Sequence, residues 1–92
     1  MGGESGNNWL VYLLRLRDGS LYCGATNDLE RRVDQHNRGI ASRYTRGRGP
    51  VFLVAKSRDM PKGAALSLEA QVKKAKKEMK AEMIELSWNN RI

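Results

Sequence analysis

Two short apolar runs open the pattern: "WLVYLLRLR" and "SLYCGA" flank the pair Asp18-Gly19. Strand-prone runs around Asp-Gly predict a β-hairpin. Two turn geometries compete. A two-residue loop pairs Arg17 with Ser20 and sends Tyr12 and Tyr22 to opposite faces of the sheet. A three-residue loop, Arg17-Asp18-Gly19, with Gly19 left-handed, pairs Leu16 with Ser20 and Tyr12 with Gly24, so that both tyrosines share a face. The second register is the expected one, because a residue without a side chain leaves room over the Tyr12 ring. Next, Asn27 with Glu30 three residues on has the form of a capping box, and Gly39 suits a helix end. Within that helix Leu29, Val33 and His36 fall on one side, with Arg32 about 60° around. "GIASRYTRGRGP" (39–50) is a glycine-punctuated loop, and "VFLVAKS" reads as a third strand. From Pro61 to about Leu86, steps of three and four residues put Leu68, Val72, Ala75, Met79, Met83 and Leu86 on one buried stripe, in one helix or two.

This order of elements predicts an α+β fold: a small three-stranded antiparallel sheet flanked by helices, β-β-α-β-α(-α). The strand runs are apolar on both faces, so cover on both sides is expected. Residues 9–88 form one domain in this reading, with a disordered start (1–8) and a short tail (89–92).

Charge changes the picture most. The chain has 92 residues and a net charge of +7. Between Arg31 and Arg48 lie six arginines (31, 32, 38, 43, 46, 48) against the single acid Asp34, and Lys73, Lys74, Lys76, Lys77 and Lys80 form a second cluster. Such local basicity attracts a polyanion, with nucleic acid the first candidate. One cysteine, Cys23, excludes an internal disulfide or a cysteine-built zinc site and suits a reducing interior. The start lacks a signal-peptide core, and nowhere do about eighteen apolar residues run together. A cytoplasmic protein off the membrane is expected. There is no His-x-x-x-His, no phosphate-binding Gly-Lys-Ser/Thr and no G-x-S-x-G.

What remains is a scattered set: Tyr12, Tyr22, Gly24, Arg32, His36, Tyr44 and Glu69. "VY" at Val11-Tyr12 stands ten residues before "YCG" at Tyr22-Cys23-Gly24, an arginine follows the glycine by eight residues, and a histidine follows the arginine by four. With the glutamate of "LSLEAQVKK", this series resembles the paired signature of the GIY-YIG endonucleases, in particular their small stand-alone members. The resemblance covers roughly residues 9 to 86. Its departures are Leu-Val-Tyr and Tyr-Cys-Gly for the two motifs. Ala25 and the stretch Ala81–Ile84 also lack the lysine and asparagine that several members carry there.

The resemblance implies a nicking, metal-dependent phosphodiester hydrolase acting on DNA. It makes Tyr12 the base for the attacking water, and puts Tyr22 and His36 in the same proton-handling cluster. Arg32 falls on the non-bridging oxygens, Gly24 supports the site, and Glu69 holds one divalent cation, Mg²⁺ or Mn²⁺. The chemistry is sensible, since an arginine fork grips two phosphate oxygens and one carboxylate plus waters and substrate oxygens is an ordinary Mg²⁺ site. A phenol is only about 0.1% ionised at neutral pH, however, and lowering its pKa from ~10 to ~8 costs about 2.7 kcal/mol. Neighbouring Arg32 or His36 is expected to contribute part of that. Arg31, Arg43, Arg46, Arg48 and Lys73 are expected to meet nucleic acid. Tyr44 either stacks on a base or packs its loop down, and Glu69 alternatively pairs with Lys73 one turn on. Specificity would come from DNA structure, dimerisation or a protein partner, with the chain a monomer or weak dimer. The rival readings are a non-catalytic nucleic-acid-binding domain on the same scaffold and a basic protein-interaction module.

Overall fold

The computed structural model describes residues 7–86. Positions 1–6 of the expected disordered start, and 87–92 with the expected tail, lie outside the described residues. The hairpin takes the three-residue loop. Strand β1 (Leu10–Arg15) pairs antiparallel with β2 (Leu21–Thr26), with Tyr12 opposite Gly24. The Leu16 N–H donates to the Ser20 carbonyl and the Gly19 N–H to the Leu16 carbonyl, both at 2.9 Å. Gly19 has φ +88°, which a residue with a Cβ rarely adopts. The Asp18 carboxylate accepts from the Ser20 N–H at 3.0 Å and from its hydroxyl at 2.6 Å, tying the turn to its own side chain.

Helix α1 (Leu29–Asn37) starts one residue later than the capping box predicts. Asp28, not Asn27, is the cap, and its Oδ1 accepts the Arg31 N–H at 3.2 Å. Asn and Asp cap about equally well; here the Asp28 N–H donates to Thr26 Oγ1 at 3.0 Å, so the end of β2 holds Asp28 at the helix entrance. The helix closes at Gly39 (φ +78°), whose N–H donates to the His36 carbonyl while that of Ile40 reaches back to Gln35. This double bond is a Schellman ending, for which glycine is favoured.

Strand β3 (Phe52–Lys56) pairs antiparallel with β1, giving the sheet order β2-β1-β3. The β1–β3 register steps by one residue between Leu13 and Leu14, and Phe52, Leu53 and Val54 stay substantially exposed.

The C-terminal helical pattern resolves into two helices, α2 (Lys62–Lys74) and α3 (Lys77–Leu86). The expected stripe holds for Val72 and, in part, Leu68 and Met83, but Met79 and Leu86 are 43% and 52% exposed, and Ile84 is the buried residue of α3. The extended Ala75 (ψ 160°) resets the helical phase. The break is stabilised from a distance: Lys80 Nζ donates to the carbonyls of Val72 at 2.7 Å and Lys73 at 3.1 Å, satisfying acceptors that the end of a helix leaves open.

Alternation along β1 divides the core. Leu10, Tyr12 and Leu14 face α1, packing with Tyr22, Leu29 and Val33. Val11 and Leu13 face α2 and α3, packing with Cys23, Ala55, Ala65, Val72 and Ile84. Both faces are thus covered, as the doubly apolar strands require. Among the described residues no helix is long and apolar enough to cross a membrane.

Candidate functional site

The shared face of β1 and β2 brings Tyr12 and Tyr22 together, with ring centroids 6.4 Å apart. Helix α1 adds His36 above them, its ring 5.8 Å from Tyr12 and 4.9 Å from Tyr22. The Tyr12 hydroxyl is 2.9 Å from His36 Nε2. Both residues are almost wholly buried, at 2% and 1% exposure. On the far side of the imidazole, Nδ1 is 2.8 Å from Thr45 Oγ1, and the Thr45 hydroxyl donates to the Ser42 carbonyl at 3.3 Å. Thr45, itself part of the basic loop, is fully buried. Reading the sequence missed it: no local pattern singles out a threonine nine positions beyond a histidine.

Gly24 has a steric role. A Cβ placed there would overlap the Tyr12 hydroxyl and stand 2.5 Å from its Cζ. The Tyr12 ring is walled in and cannot swing away, so Gly24→Ala must displace the hydroxyl that reaches His36. Overpacking of this kind costs about 1–3 kcal/mol. The expected result is a lowered melting temperature together with loss of any activity that needs Tyr12, measured on the same preparation; a variant that melts and works like the parent would contradict the crowding.

Burial sets the protonation states. It is the largest influence raising the Tyr12 phenol well above its ordinary pKa; Tyr22 and Glu69 add to the rise, and Arg32 opposes it. The expectation of a net lowering is therefore corrected: Arg32 acts in the expected direction, and desolvation outweighs it. His36 is pushed down to about 4, first by burial and then by Arg32, so at neutral pH its ring is uncharged and one nitrogen is free to accept. Cys23 lies on the opposite face of the sheet, pushed up to about 11 chiefly by burial, so it holds its proton and is inert.

Glu69 arrives from α2. Its Oε2 is 2.8 Å from Lys73 Nζ, with side-chain exposures of 18% and 52%. This contact raises the lysine's pKa. Glu69 is among the charges that raise both Tyr12 and Cys23, while its helix packs on the sheet face opposite the tyrosines. A depression of about 340 Å³ runs between Leu21, Tyr22, Cys23, Tyr44, Lys73 and Lys80. Among the described residues no group of three or more His, Cys, Asp or Glu side chains could cage a metal. The donor set at Glu69 is one hard oxygen ligand, which fits a cation that keeps most of its shell for water and phosphate oxygens.

The basic residues divide by surroundings. Arg31 and Arg32 line a polar depression of about 260 Å³ at the start of α1. Arg46, with Arg17 and Arg38, borders another of about 550 Å³ behind His36 and Thr45. Arg43 is exposed. Tyr44 stacks on Tyr22 at 6.0 Å on one face, and Arg48 lies 4.4 Å above its ring. Arg48 also pairs with Asp18 at 3.6 Å. Tyr44 thus packs against the cluster while 42% of its surface stays exposed.

Known proteins share this chain's sequence pattern and fold. A family model described as the GIY-YIG catalytic domain matches residues 8–82. A UPF0213 protein of Nitratidesulfovibrio vulgaris is 47% identical over 72 residues, 78% of this chain and 66% of that one. A second, from Clostridium perfringens, is 46% identical over 74 residues, 80% of each chain. The solution NMR structure of a UPF0213 protein from Bacillus halodurans superposes with a TM-score of 0.52 at 38% identity, covering 89% of this chain and 87% of that one.

Proposed function

The chain belongs to the GIY-YIG catalytic-domain family, and on that premise we propose that it is a metal-dependent endonuclease that hydrolyses phosphodiester bonds in DNA, one strand per event. The observation that carries this reading is the contact between the Tyr12 hydroxyl and a neutral, buried His36. A buried phenol cannot ionise into bulk water. It can take a proton from an attacking water only while handing its own to a neighbour, and His36 Nε2 at 2.9 Å is within direct transfer distance.

Arg32 favours phenolate over phenol at Tyr12 but opposes the charged His36 that the transfer creates, so the proton does not rest on the imidazole. Arg32 would also hold the non-bridging oxygens of the phosphate, where charge grows in the transition state. Tyr22 walls the cluster, with Tyr44 stacked over it. Glu69 would hold one Mg²⁺ or Mn²⁺, exchanging its Lys73 partner for the ion. That ion, when bound, supplies positive charge to the scissile phosphate and the leaving oxygen. Arg31, Arg43, Arg46 and Lys73 would follow the nucleic-acid backbone, giving affinity without sequence reading. Selection of the substrate would fall to DNA shape or to a protein partner, in a cytoplasmic monomer or weak dimer.

The test is nicking of supercoiled plasmid across Mg²⁺, Mn²⁺ and chelator. Conversion to the open circle with either ion, stopped by chelation, is the expected result. DNA binding that weakens steeply with salt, with no product under any ion, would replace this reading by that of a binding domain on the same scaffold.

A further inference from the structure

We propose that Thr45 is a positioning residue for His36: its hydroxyl fixes the imidazole as the Nδ1–H tautomer, leaving Nε2 as the acceptor that faces Tyr12. Four groups share the hydrogens along this chain of contacts: the Ser42 carbonyl, Thr45, His36 and Tyr12. A backbone carbonyl can only accept, and the Ser42 carbonyl already takes the Arg46 N–H at 3.1 Å and lies 3.3 Å from Thr45 Oγ1. When Thr45 gives its single proton to that carbonyl, its oxygen presents lone pairs toward His36. The 2.8 Å contact to Nδ1 is then a hydrogen bond only if Nδ1 carries the hydrogen. A neutral ring holding its proton at Nδ1 must accept at Nε2, and the Tyr12 hydroxyl stands there to donate. In the reverse arrangement Thr45 donates to Nδ1, and its contact with the Ser42 carbonyl becomes two oxygens without a hydrogen between them. Only the first assignment places a hydrogen in each of the three contacts, and it gives the buried Tyr12 hydroxyl an acceptor for its own proton.

The direction has chemical content. With Nε2 accepting, the buried phenol is poised to release its proton inward. With Nε2 protonated, Tyr12 could only receive a hydrogen bond from the ring, and the inward route would be closed. The consequence for cleavage rests on the nuclease reading above; the tautomer itself does not. Thr45 also belongs to the same turn as Tyr44, Arg46 and Arg48, so the surface that meets the polyanion and the residue that orients the imidazole are one piece of chain.

His36 is the only histidine in the chain, so its ring nitrogens give an unambiguous ¹⁵N spectrum. The folded parent protein should show a protonated Nδ1 and an unprotonated Nε2. Thr45→Val, which keeps the shape and removes the hydroxyl, should move a substantial fraction of the population to the other tautomer. Thr45→Ser should restore the parental pattern. Plasmid nicking should fall about tenfold or more in the valine variant and recover with serine, without a matching change in DNA affinity. A parent protein already protonated at Nε2 would overturn the proposal whether or not the valine variant folds. An unchanged tautomer in Thr45→Val would overturn it equally; a full shift with nicking at the parental rate would overturn the link between the tautomer and cleavage. If the spectra behave as expected and no form nicks DNA, Thr45 keeps its positioning role and the nuclease reading is what fails.

Discussion

Replacing Tyr12 by phenylalanine should reduce DNA cleavage by about a hundred- to ten-thousand-fold, the range over which a positioned proton acceptor contributes, while leaving DNA affinity nearly unchanged. Phenylalanine keeps the ring that packs with Leu10, Leu14, Leu16 and Val51, so the hydrophobic contribution at this position survives. What disappears is the donor to His36 Nε2. A buried acceptor left without a partner costs about 1–3 kcal/mol, and for a domain of this size each kcal/mol lowers the melting temperature by about 4–8 °C. The signature is therefore a melting temperature lowered by about 4–24 °C, intact binding and almost complete loss of turnover. Cleavage at the parental rate by purified Tyr12→Phe would remove the phenol from the mechanism and assign any observed nicking to another source.

Glu69→Gln carries the second large effect, and its sign separates two roles. The carboxylate is one of the influences that raise the Tyr12 phenol. Were that its whole contribution, removing the charge would make Tyr12 easier to ionise, and cleavage would hold or increase. As the ligand of a divalent ion it would have the opposite consequence. Loss of several kcal/mol of charge stabilisation at the phosphate corresponds to a fall of about a hundredfold or more. Stability should move little, because glutamine keeps the shape of the largely buried Glu69 side chain and the Lys73 ammonium it leaves is half-exposed to water. Plasmid nicking over a titration of Mn²⁺, with thermal melts of both proteins alongside, distinguishes the two. A Glu69→Gln variant that nicks as fast as the parent at every ion concentration would end the metal-ligand assignment.

What could be read from the sequence was whatever local chemistry decides. Asp18-Gly19 sets the hairpin register, and that register alone determines that Tyr12, Tyr22 and Gly24 share a face. The helix carrying Arg32 and His36 was equally legible, because Gly39 marks its end and the period places His36 inward. Its start was misread by one residue, since Asn27 and Asp28 are both good caps and the choice falls to a hydroxyl on the neighbouring strand. The α2–α3 break leaves no local trace: the group that completes it, the Lys80 ammonium, comes from the following helix. Thr45 was hidden for the same reason, since its importance exists only once the basic loop folds over α1. The acidity of Tyr12 was misjudged because charges can be counted along a chain, whereas burial is a property of the assembled core.

The exposed apolar strand β3 has a consequence for self-association. An edge strand offers a row of backbone donors and acceptors to any extended segment of another molecule, and natural sheets commonly protect such edges with charge or proline. Here Phe52, Leu53 and Val54 leave side-chain area open along that edge, so at high concentration it is the natural seam for intermolecular β-pairing. Neighbouring strands lie about 4.8 Å apart, which would put an incoming strand roughly three spacings, about 14 Å, from β2 and its tyrosine. Molecules joined along that seam would each keep the depression beside Tyr22 and Lys73 open to solvent.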